Sequence, residues 1–121
     1  MRLVMKFGGT SVGDEKCIAN VVNIIKESRE EGNEIAVVVS AMTRVTDQLI
    51  ATAEEVINCK QKPALDAFIT SIRSRHMKVL EAVAPDYVDE IGEYLDSRLN
   101  KLSSILLAVH NLRELTPRSK D

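Results

Sequence analysis

Lys6 sits at the end of an apolar run and is followed by Phe7, then Gly8, Gly9, Thr10, Ser11, Val12, Gly13 and Asp14. A lysine, a pair of glycines, two hydroxyls and a helix-starting acid are the material of an anion site. Glycine lets a backbone come close to oxygen atoms. The free N–H groups at a helix start favour negative charge. A lysine adds a compact point charge. The spacing fits neither of the two commonest nucleotide loops. In the Walker loop the lysine follows the glycines and directly precedes Ser or Thr, whereas Lys6 precedes Gly8. In the dinucleotide pattern Gly8 and Gly13 would fit, but Thr10 stands where the middle glycine belongs. Two readings stand at this point: a phosphate cradle, or a plain strand-to-helix turn.

A second polar cluster follows Val39, with hydroxyls at Ser40, Thr43 and Thr46 and with Arg44 and Asp47 beside them. Taken alone it reads as a helix start with Thr43 or Thr46 as the cap. Its position gives it a second meaning, because ligands of open α/β sheets gather at the carboxyl ends of the strands.

The elements that would hold these clusters can be read from patterning. Residues 2–7 are mostly apolar and end at the glycines, so they read as a strand. Asp14 suits a helix cap, and Ile18, Val21, Val22 and Ile25 recur at helical spacing behind it. Gly32 or Asn33 can take the left-handed stop. Residues 35–40 begin with a continuous apolar run rich in β-branched residues, which reads as a parallel strand buried on both faces. Strand, helix and strand make a βαβ unit with a right-handed crossover, so both polar clusters reach the same sheet edge.

Beyond Met42 the pattern turns helical. Leu49, Ala53, Val56 and Ile57 give one stripe. Pro63 suits the first turn of another helix, whose stripe runs from Leu65 to Val83. Pro85 breaks it, Asp86 can cap the next helix, and Val88 to Val109 form a third stripe. Residues 64–110 therefore read as a long antiparallel helix pair joined at Ala84–Pro85. Thr116–Pro117 resembles a further helix start. The organisation expected is a phosphate-loop βαβ unit with its following helix over 1–60, a helical hairpin over 61–112, and the start of a truncated element over 113–121. Two strands seldom make a stable sheet, so the fold class expected is an incomplete α/β domain.

Composition narrows the function. With 16 basic against 18 acidic residues, the net charge of −2 offers no basic surplus for nucleic acid or an anionic membrane. Aromatic residues are 3% of the chain, too few for base stacking. No apolar run is long enough to span a bilayer, and no signal peptide precedes the first strand. Cys17 and Cys59 lack metal-ligand spacing and read as reduced thiols of a cytoplasmic protein, Cys17 as a buried one. No metal ligands are expected. His76 reads as a core-flanking residue. His110 reads as a cation near the end of its own helix. Arg73, Arg75 and Lys78 read as a solvated basic patch, and Asp96, Arg98 and Lys101 as local ion pairs of little worth.

Three stretches together resemble one family. "KFGGTSV" at Lys6–Val12 is similar to the signature of aspartokinases, "VVVSAMTRVTD" at Val37–Asp47 to their second block, and "ELTPRS" at Glu114–Ser119 to a third. The resemblance implies the N-terminal part of an amino-acid kinase catalytic domain, a three-layer αβα fold. It implies transfer of the ATP γ-phosphoryl group to the β-carboxylate of L-aspartate, the first step toward lysine, threonine and methionine. Lys6 would then be catalytic, stabilising charge on the phosphoryl group. Gly8 and Gly9 would offer N–H groups to phosphate, and Thr10 and Ser11 would line that loop. Ser40 would lie near phosphoryl and substrate, and Thr46 would bond the aspartate. ATP and Mg2+ are implied as well. Aspartokinases continue well beyond 121 residues. A Gly-Glu-Arg block, the adenine-binding segment and the regulatory domains have no counterpart in this sequence. This chain alone is therefore expected to be inactive and to hold ATP only weakly. Two alternatives remain: a non-catalytic module that oligomerises or complements a partner chain with the missing half, and a piece of another member of the same superfamily.

Overall fold

The structure, a computed structural model, describes residues 1–112 in full and the course of the last helix as far as Lys120. The helix start read at Thr116–Pro117 is not met, because the last helix runs through both residues as far as Lys120; Asp121 lies outside the described residues. Strand β1 (Arg2–Phe7) pairs in parallel with β2 (Glu34–Val39), from Arg2 opposite Glu34 to Phe7 opposite Val39. Helix α1 (Glu15–Glu30) makes the crossover between them. The second strand ends one residue short of the span read from sequence, yet the Ser40 N–H still donates to the Phe7 carbonyl at 3.0 Å. Helices α2 (Val45–Asn58), α3 (Asp66–Val83) and α4 (Val88–Lys120) follow. The α/β class and the N-terminal βαβ unit are thus as the sequence indicates.

Local chemistry sets the ends of α1. Asp14 is extended, and its carboxylate accepts from the Cys17 N–H at 2.8 Å. That bond holds the Asp14 carboxyl below its ordinary value of 3.8. At the other end Gly32 takes φ +91°, where a side chain would be strained, and the Asn33 amide donates to the Ser28 carbonyl at 3.1 Å.

The core lies where α2, α3 and α4 meet, not on the sheet. Met42, Val45, Ile72 and Leu99 form one buried cluster, and Val56, Leu65 and Leu106 a second. The reading of β2 as covered on both faces is not met among the described residues. Val38 is 51% exposed and Val39 58%. Period-two alternation puts Leu3, Met5 and Phe7 on the half-buried face and Arg2, Val4 and Lys6 on the open one. Val4 on that open face is 78% exposed.

Other expectations are corrected by packing. Pro63 does not start α3. Leu65 is drawn into the second cluster, and the helix begins after it at Asp66. Asp86 caps nothing. Pro85 opens a 3-10 turn, Pro85–Tyr87, and the Tyr87 N–H donates to the Ala84 carbonyl. Cys17 is half-buried rather than buried. His110 does not lie at the end of its helix. It is 2% exposed within α4, and its Nδ1–H donates to the Val56 carbonyl at 3.0 Å. That carbonyl belongs to the last turn of α2, where carbonyls have no partner within their own helix. His110 therefore caps a neighbouring helix.

The basic residues of α3 are likewise committed. Arg73 Nε donates to Asp96 Oδ1 at 2.6 Å across to α4, Lys78 lies 3.5 Å from Glu15 of α1, and Arg75 Nη2 donates to the Gly13 carbonyl at 3.1 Å. The Arg73 pair holds the Asp96 carboxyl below 3.8. A depressed folded value means this contribution is present above the unfolded value and is lost as pH falls through the folded one. The stability difference between the native chain and Asp96→Asn, measured by urea unfolding, is therefore expected to shrink between pH 5 and pH 3. Both side chains are about half exposed, so the difference is small at any pH. A constant difference would show that the pair does not titrate with folding.

Candidate functional site

Parallel pairing sends the chain out of β1 and β2 at the same edge, and there the two polar loops meet. The Ser11 N–H closes a turn onto the Gly8 carbonyl at 3.0 Å. The Thr43 hydroxyl, from the second loop, donates to the Gly9 carbonyl at 2.8 Å. Thr43 is thus spent on the first loop and does not cap α2. The residue before α2 is Arg44, left-handed at φ 72°, with no side-chain cap bond.

The sequence-selected residues all border this rim, and most of their side chains are open to solvent. Lys6, Thr10, Ser11, Ser40 and Thr46 are exposed, and Gly8 and Gly9 are half-buried. Lys6 sits opposite Val38 on the open face of the sheet. Thr46 falls in the first turn of α2. Neither Gly8 nor Gly9 adopts a positive φ, so their value is the missing Cβ. A Cβ at Gly8 would meet nothing within 4 Å, and one at Gly9 would meet only the Ala41 carbonyl at 3.8 Å. At Gly13 a Cβ would stand 2.9 Å from Thr43 Oγ1, the atom that ties the loops together.

Three participants escaped sequence reasoning. Thr43 is visible as a hydroxyl but reads as a helix cap. Gly13 was visible only as part of a failed dinucleotide pattern. Arg75 had no local signal at all, because its partner is 62 residues away.

The model of the Amino acid kinase family matches residues 1–114. The chain belongs to the amino acid kinase family. Among the curated relatives of this chain are aspartokinases of several bacteria. That of Bacillus sp. (strain MGA3) is 42% identical over 69 residues, 57% of this chain and 17% of the relative. That of Thermus thermophilus is 54% identical over 54 residues, 45% of this chain and 13% of the relative. That of Pseudomonas aeruginosa is 39% identical over 69 residues, 57% of this chain and 17% of the relative. The matched segment is thus about a sixth or less of those enzymes' length. The likeness to the N-terminal part of aspartokinases, drawn from the motifs, holds. No helix among the described residues is long and apolar enough to cross a membrane.

Arg44 gives this chain a testable local strain. A non-glycine residue in the left-handed region costs about 1–2 kcal/mol. Arg44→Gly removes that cost and gives back part of it as unfolded-chain entropy. The variant is expected to be more stable by roughly 0.5 kcal/mol by urea unfolding. A loss of stability would mean that the exposed arginine side chain makes up for its backbone.

Proposed function

We propose that this chain forms the phosphate-binding wall of an aspartate kinase site, in which the γ-phosphoryl group of ATP passes to the β-carboxylate of L-aspartate. The observation that carries the reading is the bond from Thr43 to the Gly9 carbonyl. It makes one rim of the two loops, with Lys6 at one side and the start of α2 at the other. Phosphoryl transfer depends on positioning and charge neutralisation more than on a nucleophilic side chain. A carboxylate acceptor is already the nucleophile, so no strong base is called for.

In this reading Lys6 neutralises charge on the phosphoryl oxygens. Gly8 and Gly9 admit those oxygens close to the backbone, and Thr10 and Ser11 offer hydroxyls from the same loop. Ser40 lies near the phosphoryl group, and Thr46 bonds the aspartate. Magnesium keeps most of its waters and binds chiefly to nucleotide phosphates. A rim with Lys6 and loop N–H groups, and no cluster of three metal-binding side chains among the described residues, fits an ion that arrives on ATP. The ion would neutralise phosphate charge. The enzyme would act in the cytoplasm, in amino-acid biosynthesis.

The matched segment is at most about a sixth of the relatives' length, and on that ground the chain alone is proposed not to turn over. A coupled assay is expected to find no aspartate-dependent ADP release, while calorimetric titration at low salt finds weak binding of tripolyphosphate. Absence of that binding would overturn the phosphate reading, and turnover at a normal kinase rate would overturn the inactivity.

A second reading is favoured by the open sheet face, where Val4 and Val38 are exposed. It makes the chain an oligomerising or complementing module, since apolar patches of that kind drive association. Sedimentation equilibrium showing a monomer at high concentration would sink it. Membership of another branch of the superfamily would show as aspartate binding indifferent to Thr46→Val in a full-length form.

A further inference from the structure

We infer that Thr43 and Arg75 are positioning residues that aim the N–H groups of the phosphate loop. The inference rests on the phosphate reading above and adds two residues to it. A loop can bind phosphate only if its carbonyl oxygens, which repel anions, are turned away. Three such oxygens are engaged here. The Gly8 carbonyl accepts from the Ser11 N–H, the Gly9 carbonyl from the Thr43 hydroxyl, and the Gly13 carbonyl from Arg75 Nη2.

A trans peptide is planar, with its C=O and the next N–H pointing in opposite directions. No cis peptide occurs among the described residues. Holding the Gly9 oxygen therefore fixes the Thr10 N–H, and holding the Gly13 oxygen fixes the Asp14 N–H. Each points away from the side chain that holds its peptide. Among the described residues neither N–H meets an acceptor, which leaves both for a ligand. Thr43 reaches the loop from the turn between β2 and α2. Arg75 reaches it from α3, and its half-buried guanidinium adds positive charge behind the carbonyl it binds. The crowding at Gly13 belongs to the same device, since a methyl there would push directly on Thr43 Oγ1.

The test compares Thr43→Val, Thr43→Ser, Arg75→Met and Lys6→Ala with the native chain. Backbone order parameters from 15N relaxation report the loop without any ligand, and tripolyphosphate titration reports its use. For Thr43→Val and Arg75→Met the order parameters of Thr10 and Asp14 are expected to fall from about 0.85 to below 0.6, while Val21 to Ile25 of α1 stay rigid. Tripolyphosphate affinity is expected to fall about fivefold to tenfold in both, and Thr43→Ser to restore both readouts. If both variants keep a rigid loop and native affinity while Lys6→Ala weakens binding by one to two orders of magnitude, the phosphate reading stands and this inference is overturned. If the native chain binds no tripolyphosphate, the phosphate reading fails and takes the inference with it.

Discussion

Replacing Lys6 with alanine is expected to weaken tripolyphosphate binding by one to two orders of magnitude and leave the thermal midpoint unchanged. The two halves of that result have separate causes. A hydrogen bond from a charged group contributes about 1.5–3 kcal/mol, against about 1 kcal/mol for a neutral one. At 1.4 kcal/mol per tenfold, the lysine outweighs any single loop N–H. The fold does not depend on it. Lys6 is exposed, and its place in the sheet is secured by the backbone opposite Val38. Lys6→Arg is expected to recover only part of the affinity, because a planar fork does not reproduce a compact ammonium. Titration calorimetry at two salt concentrations checks the origin of the effect, since exposed charges are screened. An unchanged affinity in Lys6→Ala would remove the lysine from the site and return its loop to a plain turn.

The largest loss of stability is expected from His110→Ala. Two costs add. The Val56 carbonyl loses its donor while buried, at about 1–3 kcal/mol. The missing ring leaves a cavity beside Val56, itself 1% exposed, of the kind that costs about 2–5 kcal/mol. Domains of this size are stable by only about 5–15 kcal/mol in total. The midpoint of a thermal melt followed by far-UV circular dichroism should therefore fall by at least about 10 °C. His110→Gln keeps an N–H donor and is expected to lose less. A shift of only a few degrees in His110→Ala would mean that water replaces the imidazole and that the capping bond is dispensable.

What could be read in the sequence was what chemistry settles within a few residues. Asp14 is a cap because a carboxylate three residues before an N–H reaches it. Gly32 ends α1 because a left-handed φ favours glycine. The strands were legible from β-branched and apolar runs, and their parallel pairing from the helix between them. From that pairing alone, the meeting of the two loops followed. What was not legible depends on distant partners. Thr43 finds a carbonyl 34 residues away and Arg75 one 62 residues away, and neither residue type announces such a partner. His110 reads as a cation near the end of its own helix, yet its partner is a carbonyl of α2, and α4 continues beyond it. The apolar character of β2 pointed to cover on two faces, and the described residues provide α1 and little else.

The open face of the sheet is also the face from which Lys6 projects. Two unit charges 4 Å apart attract by about 1 kcal/mol in bulk water and about 4 kcal/mol near a protein surface, where the effective dielectric is near 20. Whatever covers Val4 and Val38 would also strip water from the lysine and raise its pull on phosphate severalfold. Burial of the sheet and activation of the cation are one event in this architecture, so the lysine's strength reports whether the sheet has found its cover.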